Sequence, residues 1–565
     1  MANRDLEQLA ADYWDAFLAI NPTQGTAIGD HRYGDRLEPI TTEEIAAARA
    51  RLRGLQARVE AIDDPSFGDE EKLTVSALRH VVAQGRVFLE ADPHAYTVDA
   101  MNGPQVAFLN LPSLQPLRDP ADGNAMLARW WSMGPWVDAY IARLRGGLAD
   151  GLAPVAVGVE RVISELDALL ARPIDDWPLL DPLRADHASW AEADWSRFGG
   201  NLRAAVYDGL SPAFMRYRAF LADEALPRAR DDAHAGIGNL PGGVERYVRL
   251  ARAHTTTDLS PEELHAVGLA EIARIDAELE ELGGRVLGTR GLEATLAALR
   301  SASALYFATG EEVRATAEAS LVAANAAIPD WFGRLPVTPC EVVVMLPHEA
   351  EHSTIAYYRE PAADGGRPGR YYINTSAPTT RPRYEAQALA FHEAVPGHHL
   401  QIAIGQELSG LPAFRRHAEV TAFIEGWGLY SERLANEMGL YAGDVDRIGM
   451  ISYDAWRASR LVVDTGMHAL GWSRSRAIGF MTGHSALAVN NITNEVDRYL
   501  GWPGQALAYK VGQLEIRRIR ADAEAALGSR FEIRAFHDAL LGHGALPLAT
   551  LREAVTRDLG LPRQH

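Results

Sequence analysis

The stretch Tyr384–Gln401 reads YEAQALAFHEAVPGHHLQ, and the character of the whole molecule follows from it. Ala388, Leu389, Phe391 and the neighbouring alanines favour a helix running into His392-Glu393. Three histidines and a glutamate then fall between His392 and His399, around Pro396-Gly397. A lone His-Glu pair is ordinarily surface decoration. This density of ligand types in an apolar helix points instead to a metal site.

Two imidazoles from one helix can hold zinc while the Glu beside the first acts on the attacking water, as in zincins. The spacing departs from the usual i, i+4 pair, because i+4 from His392 is Pro396. The second ligand is therefore His398 or His399. On a straight helix, i and i+7 lie about 10 Å apart along the axis, too far for one ion. The helix must break. Pro396 removes a backbone donor and Gly397 tolerates unusual dihedrals, so the later imidazole can swing back toward His392. His398 is preferred because it directly follows the glycine, and His399 is the alternative.

A third ligand is found in Val420–Leu434, VTAFIEGWGLYSERL. Glu425 sits among Phe423, Ile424 and Trp427, where an unpaired carboxylate costs several kcal/mol. A metal ion offers the partner. Glu432, two turns on and on the same face, has more polar neighbours and reads as a supporting or surface group.

Outward from this centre the pattern is helical. Leu6, Leu9, Tyr13 and Phe17 form one apolar stripe on an opening helix that Asn21-Pro22 ends. Thr41 with Glu44, Ser260 with Glu263, and Thr309 with Glu312 mark helix starts. Glu341–Met345, Ile355–Tyr358 and Arg370–Asn374 are β-branched or aromatic runs, the last two joined by Asp364–Gly369. They predict a small antiparallel sheet beside the active-site helix, with an edge that could pair an extended peptide. The Gly- and Pro-rich interval Asp231–Gly243 divides the chain into an N-terminal helical lobe (1–240) and a catalytic helical lobe (241–565), one integrated unit.

Composition narrows the function. The 565 residues carry a net charge of −20, which disfavours nucleic acid, since phosphate binding needs clustered Lys and Arg. The single cysteine, Cys340, excludes an intrachain disulfide and a multi-thiolate zinc site, so metal ligands must be His and carboxylates. No apolar run reaches the ~20 residues that span a bilayer, and no signal-peptide pattern opens the chain. The expectation is a soluble cytoplasmic protein.

FHEAVPGHHLQ followed by AFIEGWGLYSERL resembles the bacterial family called domain of unknown function 885, grouped with helical zinc metallopeptidases related to thimet oligopeptidase and the carboxypeptidase Taq type. FLAINPTQGTAIGDHRYGDRL, DGGRPGRYYIN, RLVVDTGMHALGW and WPGQALAYKVG extend the likeness over nearly the whole chain. The resemblance implies a mainly α, two-lobed, zincin-like body with a deep channel. It also implies one Zn2+ held by His392, His398 (or His399) and Glu425, with Glu393 as base.

Related zinc peptidases place a late Tyr or His over the metal, so Tyr509 and His468 are candidates for stabilising an oxyanion. Asp464, four residues before His468, could orient its ring. Arg370 and Arg498 are candidates for binding a substrate carboxylate through a bidentate fork. The expected activity is zinc-dependent hydrolysis of short or unfolded peptides. A zinc hydrolase for a non-peptide amide, ester or cyclic amide, and a non-catalytic peptide-binding scaffold, are the rivals.

Overall fold

The computed structural model describes residues 2–62, 65–184, 186–188, 190–345, 350, 355–363 and 365–562. Helices dominate, and they begin where side chains can cap them. Helix α1 (Ala2–Ile20) buries Leu6, Leu9 and Tyr13 and stops before Asn21, as its stripe predicts. Helix α2 (Thr42–Glu60) starts with a reciprocal capping box between Thr41 and Glu44. Helices α3 (Asp69–Ala91), α4 (Pro120–Ala149) and α5 (Ala156–Leu170) follow. Helix α6 (Pro261–Leu287) starts with the Ser260–Glu263 box. At the third expected start, Thr309 caps Glu312, whose carboxylate accepts from the Ala308 N–H instead of completing the box.

The apolar cores do not follow a division at residue 240. Buried side chains of α1 and α3 share a core with residues 390–435 and 507–555. A second core gathers α4, α5 and their neighbours up to Ala225. A third packs α6 against the helices of residues 444–501. The opening helices thus belong to the body that carries the candidate site.

Strands β1 (Cys340–Val344), β2 (Ala356–Arg359) and β3 (Gly369–Ile373) lie within one residue of the expected runs. Their order is β1-β3-β2, with β1 parallel and β2 antiparallel to β3, so the sheet is mixed and the antiparallel expectation is corrected. Side-chain composition marks which residues are extended, but not which strand inserts between which. Asp364, in the expected turn, lies outside the described residues.

The site rests on six later helices: α7 (Arg383–Glu393), α8 (His398–Glu407), α9 (Thr421–Glu437), α10 (Asp444–His468), α11 (Val489–Gly501) and α12 (Ala508–Leu527). Helices α9 and α12 meet at Gly426 and Gly512, where a Cβ on either would strike the other backbone. A buried ion network fixes their relation to α6 and α10. Lys510 Nζ lies 2.6 Å from Asp454 and 3.0 Å from Glu271, and Arg433 donates to Asp454 at 2.7 Å.

Candidate metal centre

The helix break anticipated around Pro396-Gly397 is present. Helix α7 ends at Glu393, Ala394 and Gly397 leave helical dihedrals (ψ −107° and −131°), and α8 begins at His398. A Cβ on Gly397 would run into the carbonyl oxygens of Phe391 and His392, so the turn needs glycine there. Helix α9 satisfies the exposed carbonyls. Trp427 Nε1 donates to Pro396 O at 2.9 Å, and Ser431 Oγ donates to Phe391 O at 2.9 Å.

This turn brings the imidazoles of His392 and His398 to a centroid separation of 4.7 Å, nearly perpendicular at 86°. Glu425 Oε2 stands 3.7 Å from His392 Nε2 and 3.4 Å from His398 Nε2. Tetrahedral zinc with bonds of about 2.0–2.1 Å separates its ligand atoms by roughly 3.3 Å. The observed spacings approach that edge length. Glu425 Oε2 is buried and has no hydrogen-bond partner, as a ligand oxygen awaiting a cation would be. Gly428 makes the room, since a Cβ there would lie 2.8 Å from His392 Cε1 and 3.0 Å from His398 Cε1. Glu425, Gly428 and Glu432 share one face of α9.

Glu432 lies directly behind the His392 ring. Its Oε1 lies 2.7 Å from His392 Nδ1, and the residue is fully buried. A carboxylate there keeps the proton on Nδ1 and turns the Nε2 lone pair toward Glu425. Burial lowers the His392 pKa, but Glu425 and Glu432 outweigh it and lift it to about 9, so a cation held at Nε2 would take the place of a proton there. Burial likewise raises Glu425, yet the two imidazoles hold its carboxyl well below the usual range.

Glu393 is the one part-exposed residue between Phe391 and Leu400. Its charge is felt by both His392 and Tyr371 of β3. Tyr509 stacks beside His392 at 6.3 Å and 17°. Burial, and after it the charge of Glu425, raises its hydroxyl, which stays protonated at neutral pH. His399 faces away from the cluster: Nδ1 meets the Tyr358 hydroxyl and Nε2 the Thr338 carbonyl, both at 3.0 Å. It anchors the sheet to α8.

Other expected residues are engaged elsewhere. His468 is fully buried, with Nδ1 accepting from the Ile237 N–H and Nε2 meeting Tyr499 O, each at 3.1 Å. Neither nitrogen is left for an oxyanion. Asp464 does not orient that ring; it accepts from the Tyr247 hydroxyl at 2.6 Å and the Gly504 N–H at 3.1 Å. Arg370 pairs with Glu341 at 3.6 Å across the sheet. Arg498 donates to Glu495 and Gln505, both at 3.0 Å. Sequence reasoning passed over Arg457 and Arg460 of α10, both buried near these groups. Their signal was two arginines three residues apart in the mostly apolar and aromatic YDAWRASRLVV.

Comparison with known proteins places the chain in a family. No curated protein matches the chain. The crystal structure of a presumed lipoprotein from Colwellia psychrerythraea is similar at 27% identity and TM-score 0.91, covering 98% of this chain and 99% of that one. A presumed lipoprotein of unknown function from Shewanella oneidensis shares the fold at 17% identity and TM-score 0.73, covering 97% and 99%. The match to bacterial proteins of unknown function (DUF885) runs over residues 22–555, and the chain belongs to that family.

Proposed function

We propose that the protein is a zinc-dependent hydrolase that cleaves amide bonds of short or unfolded peptides. The observation that carries this reading is the convergence of His392 Nε2, His398 Nε2 and the partnerless Glu425 Oε2, with all ligand atoms within 4.8 Å of one another. Two neutral imidazoles and one carboxylate suit zinc and leave a coordination position open for substrate. Zinc held by His392, His398 and Glu425 would supply Lewis-acid chemistry, making a water acidic near neutral pH and polarising a carbonyl.

The chain's own groups divide the remaining work. Glu393, adjacent to His392 and open to solvent, takes the proton of the attacking water and passes it to the leaving amine. Tyr509, protonated and stacked beside His392, donates its hydroxyl to the developing oxyanion. Glu432 holds the His392 ring through the cycle. β1 and β2 are the outer strands of the sheet, and an outer strand is suited to align an extended peptide by strand addition.

Elemental analysis of the purified protein and a Glu425→Ala variant, with a peptide-cleavage screen on both, tests the reading. About one zinc per chain, lost together with cleavage in the variant, is the expected outcome. A zinc-replete protein without metal, or cleavage that survives Glu425→Ala, sinks it.

A further inference from the structure

Two arginines of α10 carry donors that no group among the described residues takes up. Arg460 gives Nε to the Tyr499 hydroxyl at 2.9 Å and Nη2 to Glu495 at 3.0 Å, but its Nη1 is buried without a partner. Arg457, one turn earlier, has both Nε and Nη1 buried and partnerless. Each residue is only 3% exposed. Leaving a buried donor unsatisfied is costly, more so when it is charged. Three such nitrogens on one helical turn call for an acceptor from outside the chain.

Aromatic rings hold the guanidinium planes, and the unpaired N–H groups at their edges are Nε and Nη1 of Arg457 and Nη1 of Arg460. Arg457 lies 3.8 Å from the Trp456 centroid and 4.6 Å from that of Tyr453. Arg460 lies 4.6 Å from Trp456 and 4.2 Å from Tyr509. A guanidinium stacked this way presents its N–H fork to a planar acceptor.

Both arginines border the metal centre. Arg457 Nη2 stands 3.8 Å from Glu432 Oε1, which itself holds His392. Arg460 covers the ring of Tyr509, which stacks beside the same imidazole. Most of the surrounding acid oxygens are committed. Glu495 is shared between Arg460 and Arg498, Asp464 is bonded to Tyr247 and Gly504, and Glu432 gives Oε1 to His392 while its buried Oε2 makes no hydrogen bond among the described residues. Glu385, the acid that feels Arg457, is pushed up to about 8 by burial and is neutral at pH 7.

We propose that Arg457 and Arg460 form a carboxylate subsite beside the metal centre, so that the enzyme acts on substrates with a free carboxylate close to the scissile amide. This inference rests on the hydrolase reading above. The carboxylate is a peptide C-terminus or the side chain of an acidic residue, which share the planar pair of oxygens a guanidinium edge recognises.

Binding separates the subsite from catalysis. Zinc-loaded Glu393→Gln protein is titrated calorimetrically with alanyl-phenylalanine, its C-terminal amide, and amidated alanyl-glutamate. The free acid is expected to bind on the order of tenfold to a hundredfold more tightly than its amide. Adding Arg460→Gln removes most of that preference at unchanged zinc content, and Arg460→Lys, which keeps charge but not the fork, retains part of it. Thermal melts check folding, and Arg457→Gln carries the test should Arg460→Gln not fold. If amidated alanyl-glutamate alone binds more tightly than the amide of alanyl-phenylalanine, the carboxylate recognised is a side chain.

Equal affinity for all three probes, no binding at millimolar concentration, or a preference untouched by both glutamine variants overturns the subsite. A carboxylate preference in a protein whose wild type hydrolyses nothing overturns the hydrolase reading alone. Hydrolysis indifferent to amidation overturns the subsite alone.

Discussion

His392 and His468 are both buried histidines at the C-terminal ends of helices, and they put burial to opposite uses. His468 spends both nitrogens on backbone groups, and burial lowers its pKa to about 3. His392 spends only Nδ1, on Glu432, and turns Nε2 toward another imidazole and a carboxylate. The carboxylates repeat the contrast. Asp454 is bonded to Lys510 and Arg433, whereas Glu425 Oε2 has no hydrogen-bond partner. Burial therefore does not mark a functional group; the partner that saturates it, or fails to, does.

The sharpest way to break this contrast is Glu393→Gln. The change keeps size and removes the base, so turnover should fall by roughly 10²–10⁴-fold while zinc content stays the same. Near-native peptide cleavage by the variant would mean that Glu393 is a surface residue beside a structural metal.

Adjacent histidines sharpen it next. His398→Ala removes one of the converging nitrogens and should weaken zinc binding by more than about 100-fold. His399→Ala should keep the metal and cost about 1–3 kcal/mol of stability, because Tyr358 and Thr338 lose their partner. Chelator competition and thermal melts on the two variants read both effects. An equal loss of zinc from both would erase the distinction between neighbours.

Glu432→Gln tests the support one shell out. An amide can still meet His392 Nδ1 but no longer carries the charge that sharpens the Nε2 lone pair, so zinc affinity should drop about 10–100-fold. An unchanged dissociation constant would make Glu432 a packing residue.

Much of this was legible before any coordinates, and its limits have physical causes. His392, Glu393 and Glu425 could be read because each breaks a local rule, a polar or charged group set in an apolar helix. The need for a break at Pro396-Gly397 followed from helix rise alone. That His399 turns to the sheet while His398 faces Glu425 depends on contacts from β2 and Thr338, more than forty residues away in sequence. His468 misled because i, i+4 spacing from Asp464 says nothing of Ile237 and Tyr499, which reach its ring from other elements. The sheet was mis-paired for the same reason, since strand order is a tertiary fact. Arg457 and Arg460 went unread because an arginine in a helix is usually solvated, and only the packed body reveals donors without acceptors.

The smallest expected effect bears on the other half of the contrast. His468→Asn should leave zinc content unchanged and cost about 1–3 kcal/mol at pH 7, through poorer pairing of the Ile237 N–H and Tyr499 carbonyl. Its pH dependence identifies the cause. The wild-type ring takes a proton in the unfolded chain below about 6.5 but in the folded one only near 3. Its contribution is therefore complete above pH 6.5 and is lost progressively as pH falls toward 3. Asparagine does not titrate, so the stability gap between wild type and variant should narrow between pH 7 and pH 4. A gap that stays constant over that range would mean that His468 is held by shape rather than by its two backbone bonds, and the contrast with His392 would reduce to position.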